Sequence, residues 1–204
     1  MQKTDPLIRT VLGHSFGGQV ALEYALRYPQ ALSHLVLMNS GGDNWWVEQN
    51  ASEILRKRRY GAAAVQAARR FFNGRISAGE YFSTFFKFGG AYFYRFNLLE
   101  LALEVLRGPQ PMYRPEATIF GYSQLLAGWS VMDRLGEINV PALVVAGRED
   151  FLFPPEHQAI LADRLPNAKL ILVERAGHNP HMEQPAEVTR AIRDFVGAPE
   201  PSPG

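Results

Sequence analysis

Cysteine is absent from all 204 residues. Its absence excludes disulfides, thiol nucleophiles and thiolate metal sites, and it fits a reducing compartment. A dominant charge is missing as well. The 21 basic and 20 acidic residues leave a formal net charge of +1, so no bulk attraction to nucleic acid or acidic partners is expected. No apolar run approaches the roughly 18 residues of a membrane span, and Met1–Pro6 has no apolar signal core. The expectation is a cytoplasmic protein with neither a nucleic acid nor a membrane as partner. There is no internal repeat and no low-complexity tract. The local bunching of charge at Arg56, Lys57, Arg58 and Arg59 reads as a solvated helix face rather than a phosphate site.

The chain does hold enough apolar residues, 47%, to close a globular core. Ile8–Leu12 is a short run of β-formers ending at Gly13, followed at once by a helical pattern with Val20, Tyr24 and Tyr28 on one face and Ala21 and Ala25 beside it, stopped by Pro29. Leu35–Met38 is unbroken apolar sequence of the kind buried on both faces of a sheet. The rhythm resumes late in the chain: Ala142–Ala146 and Lys169–Val173 as strands, Pro155–Leu165 and Pro185–Val196 as helices, the last with Val188, Ile192 and Phe195 on one face. Such βαβα alternation predicts an α/β fold, a parallel sheet flanked by helices. Between the two halves, 18 of the 24 aromatic residues lie from Trp45 to Trp129. This stretch predicts a helical lid over residues 41–128, inserted into a core made of 1–40 and 129–197, with a disordered tail at 198–204.

Gly13-His14-Ser15-Phe16-Gly17-Gly18 stands where the first strand meets the first helix. That is G-x-S-x-G in the context that gives it meaning, a turn so tight that the serine is strained and its hydroxyl is presented at the sheet edge. Side chains at Gly13 and Gly17 are expected to collide with neighbouring backbone. The Phe16 N–H is then expected to face the site of a tetrahedral oxyanion. A serine hydroxyl needs a base, and the base needs an orienting carboxylate. Of five histidines, His178 lies in the loop after Lys169–Val173, at a strand's carboxyl end where open α/β sheets build their sites. His181 shares that loop and is second choice. His14 is expected to point away from Ser15, His34 precedes a strand, and His157 lies within a helix. Asp150 closes the run after the strand at Ala142 and is too far from Pro155 to cap the helix there. The order Ser15, Asp150, His178 is the α/β-hydrolase order.

Val11–Tyr28, Leu35–Ser40 and Val140–Val196 resemble the α/β-hydrolase superfamily of serine hydrolases. The resemblance is carried by Gly-His-Ser-Phe-Gly-Gly, by Val140-Pro141-Ala142-Leu143 leading to Gly147-Arg148-Glu149-Asp150, and by Gly177-His178. Gly128-Trp129-Ser130-Val131-Met132-Asp133-Arg134-Leu135 resembles proline iminopeptidases and related peptidase-like hydrolases. The resemblance implies ester or amide hydrolysis through an acyl-enzyme, without metal or organic cofactor, on a small molecule or short peptide. Epoxide hydrolases and dehalogenases of this superfamily place aspartate where Ser15 stands. The family also carries, upstream of the nucleophile, half a sheet and a loop supplying a second oxyanion donor. Nothing upstream of Leu7 fits that loop, so the sequence is expected to be part of a longer enzyme, and strand 8–12 is expected to form an exposed apolar edge open to self-association.

The lid aromatics, Trp45 and Trp46 among them, serve equally as substrate wall or as the lid's own core. An aminopeptidase needs a carboxylate for the substrate amine. Asn50…Glu53, Ser77…Glu80 and Asn97…Glu100 have capping-box spacing, which leaves Glu104 and Glu116 as amine-site candidates. The competing functions are a carboxylesterase, lactonase or carbon–carbon bond hydrolase, and a non-catalytic ligand-binding module.

Overall fold

The computed structural model describes residues 10–95 and 114–197. Four strands, β1 (Thr10–His14), β2 (His34–Met38), β3 (Ala142–Gly147) and β4 (Ala168–Val173), form one sheet in the order β1-β2-β3-β4. Every pairing is parallel, with Val11 opposite Leu35, Leu35 opposite Ala142 and Ala142 opposite Ala168. A parallel neighbour must be reached by a crossover, and helices supply it. α1 (Phe16–Arg27) joins β1 to β2, and a later helix over Pro155–Arg164 joins β3 to β4.

The strands are buried on both faces because each face meets helices. Leu35, Leu37, Ala142 and Val144 point to one side and pack with Ala21, Leu22 and Ala25 of α1 and with Leu161 and Leu165. Val36, Met38, Leu143 and Val145 point to the other, against Val188, Ile192 and Phe195 of the C-terminal helix Pro185–Val196. The period of two in strands produces this division. α1 buries Gly18, Gln19, Ala21, Leu22 and Ala25. On the stripe beside them Val20 and Tyr28 are half exposed, while Tyr24 packs partly buried against the core.

Between β2 and β3 lie α2 (Trp45–Lys57), α3 (Ala62–Phe72), α4 (Tyr81–Phe85) and α5 (Pro115–Phe120). The chain leaves and rejoins the core at one place, since Val131 N–H donates to Gly42 O at 2.7 Å and Asp43 bridges Ser130. These helices have a core of their own, with Val47, Leu55, Phe71, Phe72, Tyr81 and Phe88 packed on Phe151, Leu152 and Phe153 from the loop after β3. α6 (Pro155–Arg164) follows that loop, and α7 (Pro180–Glu183) and α8 (Pro185–Val196) follow β4. Asn50 lies inside α2, where Glu53 pairs with Arg56, so that spacing is not a helix cap. Ser77 and Glu80 do form a capping box. Asn97 and Glu100 lie outside the described residues, as does the tail 198–204. Of the predicted strand 8–12, residues 10–12 fall in β1, which runs on to His14, while Ile8 and Arg9 lie outside the described residues. Among the described residues β1 ends the sheet on one side, and Leu12 within it is 46% exposed.

Gly13 and Gly147 are needed for close approach. A Cβ on Gly13 would overlap the backbone of Gly17, and one on Gly147 would overlap the carbonyl oxygen of Gly177. Gly17 differs from expectation: a Cβ there meets nothing within 4 Å. Its neighbour Gly18 is the confined position, because a Cβ would overlap the Ser40 side chain. Urea unfolding of alanine variants checks this. Gly147→Ala should lose about 2–3 kcal/mol by overpacking, whereas Gly17→Ala should hold its stability or gain up to about 1 kcal/mol as a helix residue.

Candidate active site

β1 ends at His14 and α1 begins at Phe16, so Ser15 makes the whole turn alone, at φ 54° and ψ −123°. That conformation costs a non-glycine residue about 1–3 kcal/mol and needs outside support. The support is visible. Ser15 N–H donates to Met38 O at 3.0 Å, and its carbonyl accepts from Gly18 N–H at 2.9 Å and from Ser40 Oγ at 2.7 Å. Gly18 is what lets Ser40 come so near. Phe16 is the first residue of α1, and its N–H is among the four that helix geometry leaves without an intrahelical acceptor.

His178 rides the loop between β4 and α7, and its backbone N–H donates to Tyr92 O at 2.7 Å. Its ring is 2% exposed. Nε2 lies 2.9 Å from Ser15 Oγ, and Nδ1 lies 2.9 Å from Asp150 Oδ2. A carboxylate only accepts, so Nδ1 carries the hydrogen and Nε2 is left to accept from the serine. Asp150, fully buried, also accepts from Asn39 Nδ2 at 2.6 Å and from Leu152 N–H at 2.8 Å. Burial alone would raise its pKa. The charge and hydrogen bond of His178, with the donors of Asn39 and Leu152, outweigh burial and hold it below 3.8. The structure thus brings together Ser15, His178 and Asp150, with Phe16 next to Ser15 in the chain.

The other predicted positions fall elsewhere. Trp45 is 62% exposed. Trp46 stacks obliquely on His157, with ring centroids 5.1 Å apart, and lines a groove of about 510 Å³ that reaches Asp150 between α2 and the loop after β3. Glu104 lies outside the described residues. Glu116 is in the first turn of α5, exposed. Among the described residues there is no group of three His, Cys, Asp or Glu side chains placed to hold a metal ion, and no helix long and apolar enough to cross a membrane.

Several supporting residues went unnoticed in the sequence. Asn39 sits at the end of β2 beside Asp150. Glu183 accepts from Gly177 N–H at 2.6 Å and from Tyr94 N–H at 2.7 Å, fastening the His178 loop to the segment after α4. His14 turns toward the His178 loop. Its Nε2–H donates to the His178 carbonyl at 2.8 Å, and its ring lies 5.0 Å from that of His178. A polar residue closing an otherwise apolar strand, as in Met38-Asn39-Ser40, is the sequence signal that could have drawn attention to Asn39.

The profile of the alpha/beta hydrolase fold family matches residues 5–185. The chain belongs to the α/β-hydrolase fold family. Within it, the chain is similar to the proline iminopeptidase of Clostridioides difficile (strain 630), at 30% identity over 92% of this chain and 66% of that protein. It is 26% identical to the 2-hydroxy-6-oxo-6-phenylhexa-2,4-dienoate hydrolase of Comamonas testosteroni, over 91% of this chain and 62% of that one. In three dimensions it is similar to the crystal structure of the proline iminopeptidase of Mycobacterium smegmatis, with TM-score 0.66, 25% identity, and 92% and 64% of the two chains covered. This α/β-hydrolase is therefore proline iminopeptidase-like, and it spans less than two thirds of the length of these relatives.

The electrostatics carry a pH signature. Burial first, and the His178 charge second, lower the His14 pKa from 6.5 to about 4, against the opposing hydrogen bond to His178 O. A histidine held neutral by the fold binds its proton more readily when unfolded, so stability rises with pH in that range. The urea midpoint should therefore fall as pH drops from about 6.5 to about 4, and His14→Gln should flatten that fall. His181, lowered in the same direction by burial and by His178, leaves a residue of the slope. Below the ordinary Asp range a further loss follows as Asp150 is protonated, and Asp150→Asn removes it.

Proposed function

We propose that this α/β-hydrolase is a serine hydrolase that cleaves an ester or amide bond through an acyl-enzyme on Ser15. The observation that carries the reading is the unbroken relay of two 2.9 Å hydrogen bonds from Ser15 Oγ through the His178 ring to Asp150. As Oγ attacks the substrate carbonyl, His178 Nε2 takes its proton, and Asp150 stabilises the imidazolium and fixes the tautomer. The Phe16 N–H, at the positive end of α1, receives the oxyanion. His178 then protonates the leaving alcohol or amine, the carbonyl–leaving group bond breaks, and water attacks the acyl-enzyme under the same base.

For substrate, the similarity to the Clostridioides difficile and Mycobacterium smegmatis proline iminopeptidases supports an aminopeptidase acting on short peptides. The similarity to the Comamonas testosteroni hydrolase supports the second reading, a carboxylesterase, lactonase or carbon–carbon bond hydrolase on an apolar small molecule. Proline p-nitroanilide and p-nitrophenyl butyrate separate them: turnover of the ester alone ends the peptidase reading. A fluorophosphonate probe tests the chemistry itself. Labelling is expected on Ser15 and absent from Ser15→Ala. Asp150→Asn, which leaves the wrong ring nitrogen protonated, is expected to slow turnover by about 10⁴. An unlabelled parent protein would instead favour a ligand-binding module.

The partner proposed for the edge of β1 is a second copy of the chain. Leu12 of β1 is exposed at 46%, as are Phe16 and Val20 of α1 at 43% and 55%, and edge strands with exposed apolar residues invite pairing. Sedimentation velocity over a concentration series should show association that Leu12→Lys weakens. A parent that stays monomeric throughout would end the idea.

A further inference from the structure

Asn39 is fully buried at the carboxyl end of β2, in a left-handed backbone conformation, φ 44°, which asparagine tolerates better than most residues. Its backbone N–H continues the sheet by donating to Val145 O at 2.9 Å. Its side chain uses an amide's mixed character on three partners in two segments, the end of β3 with its loop and the loop after β4. Nδ2 donates one hydrogen to Asp150 Oδ2 at 2.6 Å and the other to Gly177 O at 3.1 Å. Oδ1 accepts from Gly147 N–H at 3.2 Å. Turning the amide over would set its oxygen against two acceptors and its nitrogen against a donor, so the orientation follows from the partners.

We propose that Asn39 is a positioning residue for the acid and the base together: one amide fixes which way the Asp150 carboxylate faces and, through Gly177, where the residue before His178 sits. The proposal rests on the hydrolase reading above for its kinetic consequence, though not for its geometry. Asp150 Oδ2 is shared between Asn39 Nδ2 and His178 Nδ1. If the first donor is removed, the carboxylate can rotate about its last bond, and the Gly177 carbonyl is left with an unmet acceptor in a buried place. No other side chain of this size offers two donors and one acceptor in that arrangement. Leucine offers neither donor nor acceptor. Aspartate can donate a single hydrogen, and only while protonated. The titratable groups that meet the site are Asp150 directly, His178 behind it, and Glu183 on the Gly177 N–H, with His14 and His181 beyond His178.

The test compares Asn39→Leu and Asn39→Asp with the parent in fluorophosphonate labelling rate, against pH, with folding checked by urea unfolding. Asn39→Leu should label about 10- to 100-fold more slowly. Asn39→Asp should recover part of the rate at acid pH, where a shared proton lets residue 39 donate to Asp150, and should lose it as the pair ionises. The Asp-to-Leu rate ratio therefore falls as pH rises, which a space-filling role would not produce. If Asn39→Leu does not fold, the ratio of Asn39→Asp to the parent carries the same trend. Parental rates in a folded Asn39→Leu, or a ratio that is flat with pH, overturn the proposal. If the parent itself does not label, the hydrolase reading fails and proton NMR decides the rest. A sharp low-field His178 Nδ1–H signal that Asn39→Leu broadens supports the role of Asn39, and one that persists unchanged overturns it.

Discussion

Two loops have to meet for this site to exist, one leaving β3 with Asp150 and one leaving β4 with His178, and they meet at a pair of glycines. Gly147 approaches the carbonyl of Gly177 too closely for any side chain to stand between them. Around that contact the loops zip together through backbone bonds, Arg148 N–H to Val173 O at 3.0 Å and Glu149 N–H to Ala176 O at 2.9 Å. The parallel register of β3 and β4, Gly147 opposite Val173, brings both loops to the same sheet edge. The geometry at Ser15 then follows from the strand order, because β2 alone separates β1 from β3 and supplies Asn39 and Ser40 to the space between them.

The site is a buried one, and burial sets its chemistry. A fully enclosed carboxylate is costly unless donors surround it. Here His178, Asn39 and the Leu152 N–H all face Asp150, and the ionised form wins. The same enclosure acts oppositely on His14, which stays neutral and so can stand against His178 without repelling the imidazolium that the proposed reaction forms.

The parallel sheet and the separated positions of Ser15, Asp150 and His178 were legible because each depends on local pattern: an apolar run, a glycine at its end, a chemically capable residue just beyond. The supporting residues were not, because their roles come from contacts far along the chain. Asn39 and Asp150 are 111 positions apart, and His14 and the His178 carbonyl 164. Gly17 was misjudged for a related reason. A motif shows that a turn is tight without showing on which side the crowding falls. The aromatics between Trp45 and Trp129 divide as their surroundings dictate. Phe71, Phe72 and Phe88 fill a core, while Phe86 is 73% exposed.

Phe151, Leu152 and Phe153 come directly after the acid, yet they belong to the hydrophobic cluster of the helices above the sheet. The Leu152 N–H holds Asp150 Oδ1, and the Phe153 ring stacks 6.1 Å from His178. The floor beneath the aromatic helices and the bracket of the acid are therefore one piece of chain. Any change of volume in Phe72 or Phe88, both in ring contact with Phe151, presses on the carboxylate's support as well as on the space beneath those helices. Remodelling this layer for a new substrate would thus alter reactivity and selectivity together.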